Sequence, residues 1–383
     1  MLLAGSIVAQ ERDYVQYVTP LMGTHSSFEF SSGNTYPAIA MPWGMNFWSP
    51  RTARVGDGWK YTYTAHKIYG FEQTHQPSPW INDYGQFSLM PVTGFPSLDE
   101  EKRASWFSHK AEEVMPHYYK VYLADYDILA EMTPTERAAI FRFTFPSDSS
   151  FVVLDAYDRG SAIKVIPEKR MVVGYTTRNN GGVPKNFRNY FVVQFDAPFS
   201  YAGTFAAADA TSRILLENEA LEQQAYHTGA VLGFGTDGVV HARVASSFIS
   251  PEQALLNLGE LGDDSFDAVV ARGQSRWNSV LGRIDVDGGT TEQLNTFYSC
   301  LYRSLLFPRK FYEVAADGSI YHYSPYNGEV KPGYMYTDTG FWDTFRSLFP
   351  LLNLVYPSVN SEIQEGLLNV YRESGFFPEW ASP

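Results

Sequence analysis

"GVVHARVASSFISPEQALLNLGELG", residues 238–262, changes character half-way along. Its first half, 238–249, carries the β-branched and aromatic residues of a strand. Its second half opens with Ser250 in the position of a helix cap, Pro251 at the first helical position and Glu252 in the first turn, which together mark a helix start. The chain before this point has one texture and the chain after it another.

Upstream, "AAIFRFTF" (138–145) ends in alternation: Phe141, Phe143 and Phe145 fall on one face, Arg142 and Thr144 on the other. "FVVLD", "RMVVGYTT" and "NYFVVQFD" read as further short strands, separated by the turn signals "SDSS", "NNGG" and "GTDG". Short strands at such spacing predict an antiparallel sandwich. Downstream, Leu294, Phe297, Leu301 and Leu305 recur every three or four residues, as do Phe341, Phe345, Leu348 and Leu352, and Val359, Ile363, Leu367 and Val370. Each set predicts a helix with one buried face. A hairpin is expected within "YEVAADGSIYHYSPYNGE". The fold class is therefore multidomain β + α. The expected divisions are a leader remnant at 1–13, the sandwich at 14–249, a helical linker at 250–289 and a helical region at 290–383. Three amphipathic helices make a poor closed core, so this last region is expected to be the N-terminal part of a larger, here truncated, helical domain.

Composition narrows the function. The 383 residues carry 29 basic and 42 acidic side chains, a net charge of −13, with no Lys/Arg cluster, which argues against nucleic acid as a partner. Aromatic residues reach 16%, a level that suits sugar faces as well as large cores. One cysteine, Cys300, rules out an intramolecular disulfide and is expected to be a small buried hydrophobe. "MLLAGSIVAQERDY" resembles a short signal-peptide core ending near Ala9, without a basic start. The expectation is export, to a bacterial periplasm or the cell exterior. No apolar run approaches the length of a membrane span. Nucleotide-binding, zinc-protease and serine-hydrolase motifs are absent from the sequence.

"YTDTGFWDTFRSLFPLL" (336–352) resembles the Tyr-Thr-Asp-x-x-x-Trp-Asp-Thr-x-Arg segment of the calcium-dependent α-mannosidases of glycoside hydrolase family 92. "YVTPLMGTHSSFEFSSGNTYPAIAMPWGMNFWSPRT", "IYGFEQTHQPSPWINDYGQFSLMPVTG" and "GFFPEWAS" resemble three other segments of that family, so the similarity runs over roughly residues 14–383. The resemblance implies an N-terminal sandwich, a helical linker and an (α/α)6 barrel. It implies exo-acting release of α-linked mannose with inversion from N-glycans or mannan, assisted by one Ca²⁺ that holds sugar hydroxyls and helps distort the ring. It places the general acid glutamate, the base aspartate and most calcium ligands beyond residue 383, so no catalytic residue or metal ligand is assigned here. The family's Ser-Gly-x-Gly is replaced by "QPSPWIN" (76–82), a change expected to alter the leaving-group preference.

Four carboxylates lie in the candidate region: Asp338, Asp343, Glu373 and Glu379. Asp343 suits hydrogen bonding to sugar hydroxyls, with Trp342 as a ring platform and Arg346 fixing the aspartate; the alternative is an Asp343–Arg346 ion pair beside a core tryptophan. Asp338 reads either as a helix cap or as a substrate contact. His75, Trp80 and Asp83 are substrate contacts if their loop faces the barrel mouth, and structural otherwise. "DVDGG" (285–289) lacks the closing glutamate of a calcium-binding loop and reads as a turn. Two competing functions fit the same residues: a non-catalytic carbohydrate-binding sandwich protein, and another (α/α)6 glycoside hydrolase or phosphorylase.

Overall fold

The alternation in "AAIFRFTF" appears directly in space: Phe141, Phe143 and Phe145 are buried while Arg142 and Thr144 are half-buried. The computed structural model describes residues 12–81, 83–179, 181–217 and 220–383. Strand Ala138–Phe145 lies in a nine-stranded sheet, between Gly238–Ser247 and Ile128–Pro134. A seven-stranded sheet faces it, with Ser150–Asp155 at its centre. Every recorded strand pair in the two sheets is antiparallel. The inner faces bury Trp48, Phe71, Phe87, Phe141, Leu154 and Phe191 in one core, the arrangement of a sandwich.

The last strand of the sandwich ends at Ser247, and the helix Pro251–Leu258 follows at once. Ser250 caps it, accepting from the Gln253 amide at 3.1 Å. This helix and Phe266–Leu281 pack on the outer face of the nine-stranded sheet, where Ala254, Leu261, Phe266 and Val269 cover Ile140, Val192 and Ala245. "DVDGG" ends in a bend, with Gly288 and Gly289 both at positive φ.

The leader expected at 1–13 falls outside the described residues except for its end. There Arg12 pairs with Asp285 at 2.7 Å and Asp13 accepts from Asn278. The next stretch of chain, from Val15 to Phe47, packs with the helical region: Trp43 and Phe47 share a core with Trp277, Tyr302, Leu305 and Tyr356. Polar contacts cross the same boundary. Trp277 Nε1 donates to Ala40 O, Tyr302 Oη to Ala38 O, and Arg137 to Tyr312 O, all within 3.1 Å.

The region after Thr290 holds the helix Thr291–Ser304, the expected hairpin (Glu313–Val314 with Ile320–Tyr323) extended by a third strand, Val330–Pro332, and the helices Leu348–Val355 and Pro357–Ser374. Leu301 and Leu305, and Ile363, Leu367 and Val370, are buried as their spacing predicts. Two expectations need correction. The helix expected across 341–352 is broken: Phe341–Thr344 forms one turn, and a new helix starts at Leu348. Phe345, in the break, faces outward. Cys300 is exposed, because it sits about 100° round the helix from Leu301.

Candidate active-site face

Strand Gly70–Thr74 ends in the loop that the sequence singled out. Asp83 closes that loop by accepting from the His75 and Tyr84 amides at 2.8 and 2.7 Å and from Thr74 Oγ1 at 2.5 Å. Lys60 lies 2.7 Å from Asp83 and also pairs with Glu72. Burial opposes the Lys60 charge, but Asp83 and Glu72 outweigh it and raise its pKa. Glu72 pairs in turn with Arg51 at 3.0 Å, so a buried chain of alternating charges runs beneath the loop. Buried charges persist only when paired in this way.

His75 is fully buried. Its Nδ1 lies 2.7 Å from Tyr84 O and its Nε2 3.0 Å from Asn46 Oδ1. Burial, helped by the Arg309 charge, holds its pKa well below the usual histidine value. His75 and Asp83 therefore shape the loop from within and do not present side chains for direct contact, which corrects the sequence expectation. Trp80 differs. It stands 63% exposed at the loop tip, edge-on to Trp59 at 5.6 Å.

The second sequence stretch arrives at the same place. Asp338 is 2% exposed and has a φ of 61°, which turns its carboxylate inward. Tyr84 Oη donates to Asp338 Oδ2 at 2.7 Å, Ser382 Oγ donates to Oδ1 at 3.1 Å, and Arg309 Nε lies 2.8 Å from Oδ2. Asp338 is thus no helix cap; Gly340 occupies that position. Burial pushes the Asp338 pKa up to about 6, against the pull of Arg309, Tyr84 and Ser382. Arg309 is itself fully buried, donates to Thr74 O and Met45 O, and lies over the Phe47 ring at 4.0 Å. Sequence reasoning missed Arg309, Tyr84 and Lys60. A lone arginine inside the aromatic run "FPRKFY" was the available signal, since such a residue is either exposed or deliberately paired.

Trp342, Asp343 and Arg346 follow on the outside. Trp342 is 71% exposed, and Asp343 and Arg346 are exposed as well. Among the described residues no ion pair joins Asp343 to Arg346. The guanidinium instead lies over the Trp342 ring at 4.3 Å and the Phe345 ring at 4.5 Å. Arg346 therefore props the indole from one face, leaving the other face and the Asp343 carboxylate to solvent. Of the remaining carboxylates, Glu373 is held by His322 at 2.8 Å. Among the described residues no three His, Cys, Asp or Glu side chains converge so as to hold a metal ion.

The two quoted stretches, 254 positions apart at Tyr84 and Asp338, thus meet in one buried junction with an exposed polar and aromatic rim. Two family descriptions match this chain: the glycosyl hydrolase family 92 N-terminal domain over residues 17–247, and the family 92 catalytic domain over residues 253–383. The chain belongs to glycoside hydrolase family 92. Among solved family 92 structures, an inverting mannosidase of Bacteroides thetaiotaomicron VPI-5482 superposes with a TM-score of 0.92 at 49% identity, covering 97% of this chain and 50% of that one. A family 92 α-mannosidase of Bacteroides thetaiotaomicron, in complex with mannoimidazole, gives 0.83 at 28% identity, covering 97% and 50%. An uncharacterized secreted glycosidase of Arthroderma benhamiae is 25% identical, over 81% of this chain and 44% of its own. The chain spans about half the length of these family 92 relatives.

Proposed function

We propose that the protein is an exo-acting α-mannosidase that works with inversion and calcium, releases mannose from N-glycans or mannan, and is exported. The observation that carries the reading is the junction: Tyr84 and Asp338, 2.7 Å apart, fix the sandwich loop beside the rim of Trp342, Asp343 and Arg346. The resemblance to mannosidases, one of them solved with mannoimidazole, supplies the sugar. Export is supported by the secreted relative, and among the described residues no helix is long and apolar enough to cross a membrane.

Inverting hydrolysis needs two carboxyl groups roughly 6.5–9.5 Å apart, one protonating the leaving oxygen and one activating water. Asp338 and Glu373 are committed to partners within the fold, so this chain contributes binding and positioning in the proposal. No three His, Cys, Asp or Glu side chains converge among the described residues, so in the proposal most of the calcium ligands come from outside them. Asp343 accepts hydrogen bonds from hydroxyls of the non-reducing mannose, bonds that strengthen as positive charge builds on the ring. Trp342 offers its free face to the C–H surface of a pyranose.

Asp343→Asn in the full-length enzyme tests this. The exposed amide leaves the fold intact, and kcat and kcat/KM for an aryl α-mannoside fall about 10²-fold, equivalent to roughly 2.7 kcal/mol of transition-state stabilisation. A lowered Tm with unchanged kcat would show instead that Asp343 serves only the structure.

A further inference from the structure

A cavity of about 540 Å³ opens at one end of the seven-stranded sheet, where strand Ser150–Asp155 runs out and His227–Gly233 begins. The size falls within the range of small-molecule sites, roughly 300–1,000 Å³. None of its lining residues belongs to the two stretches that form the junction of Tyr84 and Asp338.

Its floor is built. Asp155 is buried between His227 Nε2 at 2.7 Å and Arg103 Nη2 at 2.8 Å. Burial works against the His227 charge, but Asp155 outweighs it and raises the histidine's pKa. His227 Nδ1 has no partner among the described residues. Tyr157, also in the lining, holds a φ of 61° although it is bulky and buried. Such backbone is strained and persists only when its surroundings fix it, which happens most often at binding sites. Here the Tyr157 amide donates to Asp155 and its hydroxyl to Ser88.

The charges around the rim are unevenly committed. Glu100 is taken by Arg51 and the Val55 amide, and Asp99 caps the short helix that follows it. Arg54 is taken by Glu101. Lys102 and Arg213 line the cavity with no hydrogen bond or ion pair among the described residues. Two cations without an ion-pair partner among the described residues thus face the cavity, beside Asp99, whose carboxylate caps its helix and is likewise in no ion pair. Val55, Leu98 and Ile214 add an apolar wall, and the carboxylate oxygens of Asp99 and Glu100 can accept from hydroxyls. A second cavity of about 510 Å³ lacks this feature, because its Arg170 and Arg243 already donate to backbone carbonyls.

We propose that the cavity bounded by Lys102, Arg213, His227 and Tyr157 is an accessory site for an acidic sugar, a pyranose carrying a phosphate or a carboxylate group. Lys102 and Arg213 hold the acid, the apolar wall takes the ring, and no chemistry occurs there. The proposal goes beyond the mannosidase reading and does not depend on it.

Titration calorimetry of the chain with mannose 6-phosphate, galacturonic acid, mannose and inorganic phosphate tests the site. The comparison protein is the double variant Lys102→Ala/Arg213→Ala, whose substitutions are exposed and leave Tm unchanged. At least one acidic sugar binds ten-fold or more tightly than mannose, and the double variant weakens that binding at least ten-fold. Preference for mannose 6-phosphate assigns the phosphate, and preference for galacturonic acid assigns the carboxylate. Binding of inorganic phosphate as tight as that of mannose 6-phosphate would overturn the sugar site. Equal binding of mannose, absence of binding by either acidic sugar, or an unaffected double variant would overturn it as well.

Discussion

Asp338 shows how much a single residue can hide. "TDTGF" resembles a capping signal, and only the tertiary structure reveals a carboxylate turned inward onto Arg309 and Tyr84. Side-chain direction at a positive-φ residue is set by the surrounding packing, which no local pattern encodes. The same holds for His75, whose ring lies in the core although its loop reads as exposed. The titration of Asp338 makes a testable case. Its folded pKa of about 6 lies above the ordinary 3.8, so the folded state holds its proton more tightly than the unfolded chain. The associated stability is complete below the ordinary value and is lost as pH rises through about 6. A shift of about two units corresponds to roughly 3 kcal/mol. Asp338→Asn imitates the protonated form and lacks this dependence. Urea unfolding at pH 4 and pH 7 should show the wild type losing up to about 3 kcal/mol relative to the variant. A difference independent of pH would mean that the pull of Arg309 balances burial.

At the scale of elements, the strands were legible because their buried faces repeat with a period of two, and the linker helix because Ser250, Pro251 and Glu252 mark its start. The break between Phe341–Thr344 and Leu348–Val355 was not, because Phe345 preserves the helical period while facing outward. The segment 380–382 explains part of the local geometry. Thr339 and Gly340 pair with Ala381 and Trp380, the Asp338 amide donates to Ala381 O, and Ser382 reaches the Asp338 carboxylate. A Cβ on Gly340 would stand 2.3 Å from the Trp380 ring. Gly340→Ala should therefore lift this segment off Asp338, costing about 1–3 kcal/mol. Amide hydrogen exchange at Trp380 and Ala381 should then be faster in the variant than in the wild type; equal exchange would show that the indole simply shifts aside.

At the scale of the molecule, the texture of the sequence changes near Ser250, where the match to the family's N-terminal domain ends at 247 and the match to its catalytic domain begins at 253. Sequence periodicity marked the buried faces of Thr291–Ser304 and Pro357–Ser374, but not what the remaining faces do. Leu354 (82% exposed), Leu368, Tyr371, Phe376 and Phe377 all lie on the surface of the last two helices and the turn beyond them. Sandwich strands, by contrast, bury both a shared core and their ladder hydrogen bonds. Regions with few buried apolar contacts open at lower free energy. Amide hydrogen exchange of the chain should therefore be faster in Leu348–Val355 and Pro357–Ser374 than in Ala138–Phe145 and Gly238–Ser247. Equal protection in all four elements would contradict this reading.

The core shared by Trp43, Phe47, Trp277, Tyr302 and Tyr356 has a mechanical meaning. The backbone between sandwich and helices is one tie among many, alongside the carbonyls of Ala38 and Ala40 held by Tyr302 and Trp277. The sandwich is therefore not a free-standing module on a tether. A chain nicked between Leu261 and Ser265, where the two linker helices meet, should still migrate as a single particle on size exclusion. The two pieces, made separately and mixed, should find each other as complementary halves. Elution of the nicked protein as two species would mean that the peptide linkage, rather than the buried seam, holds the halves together.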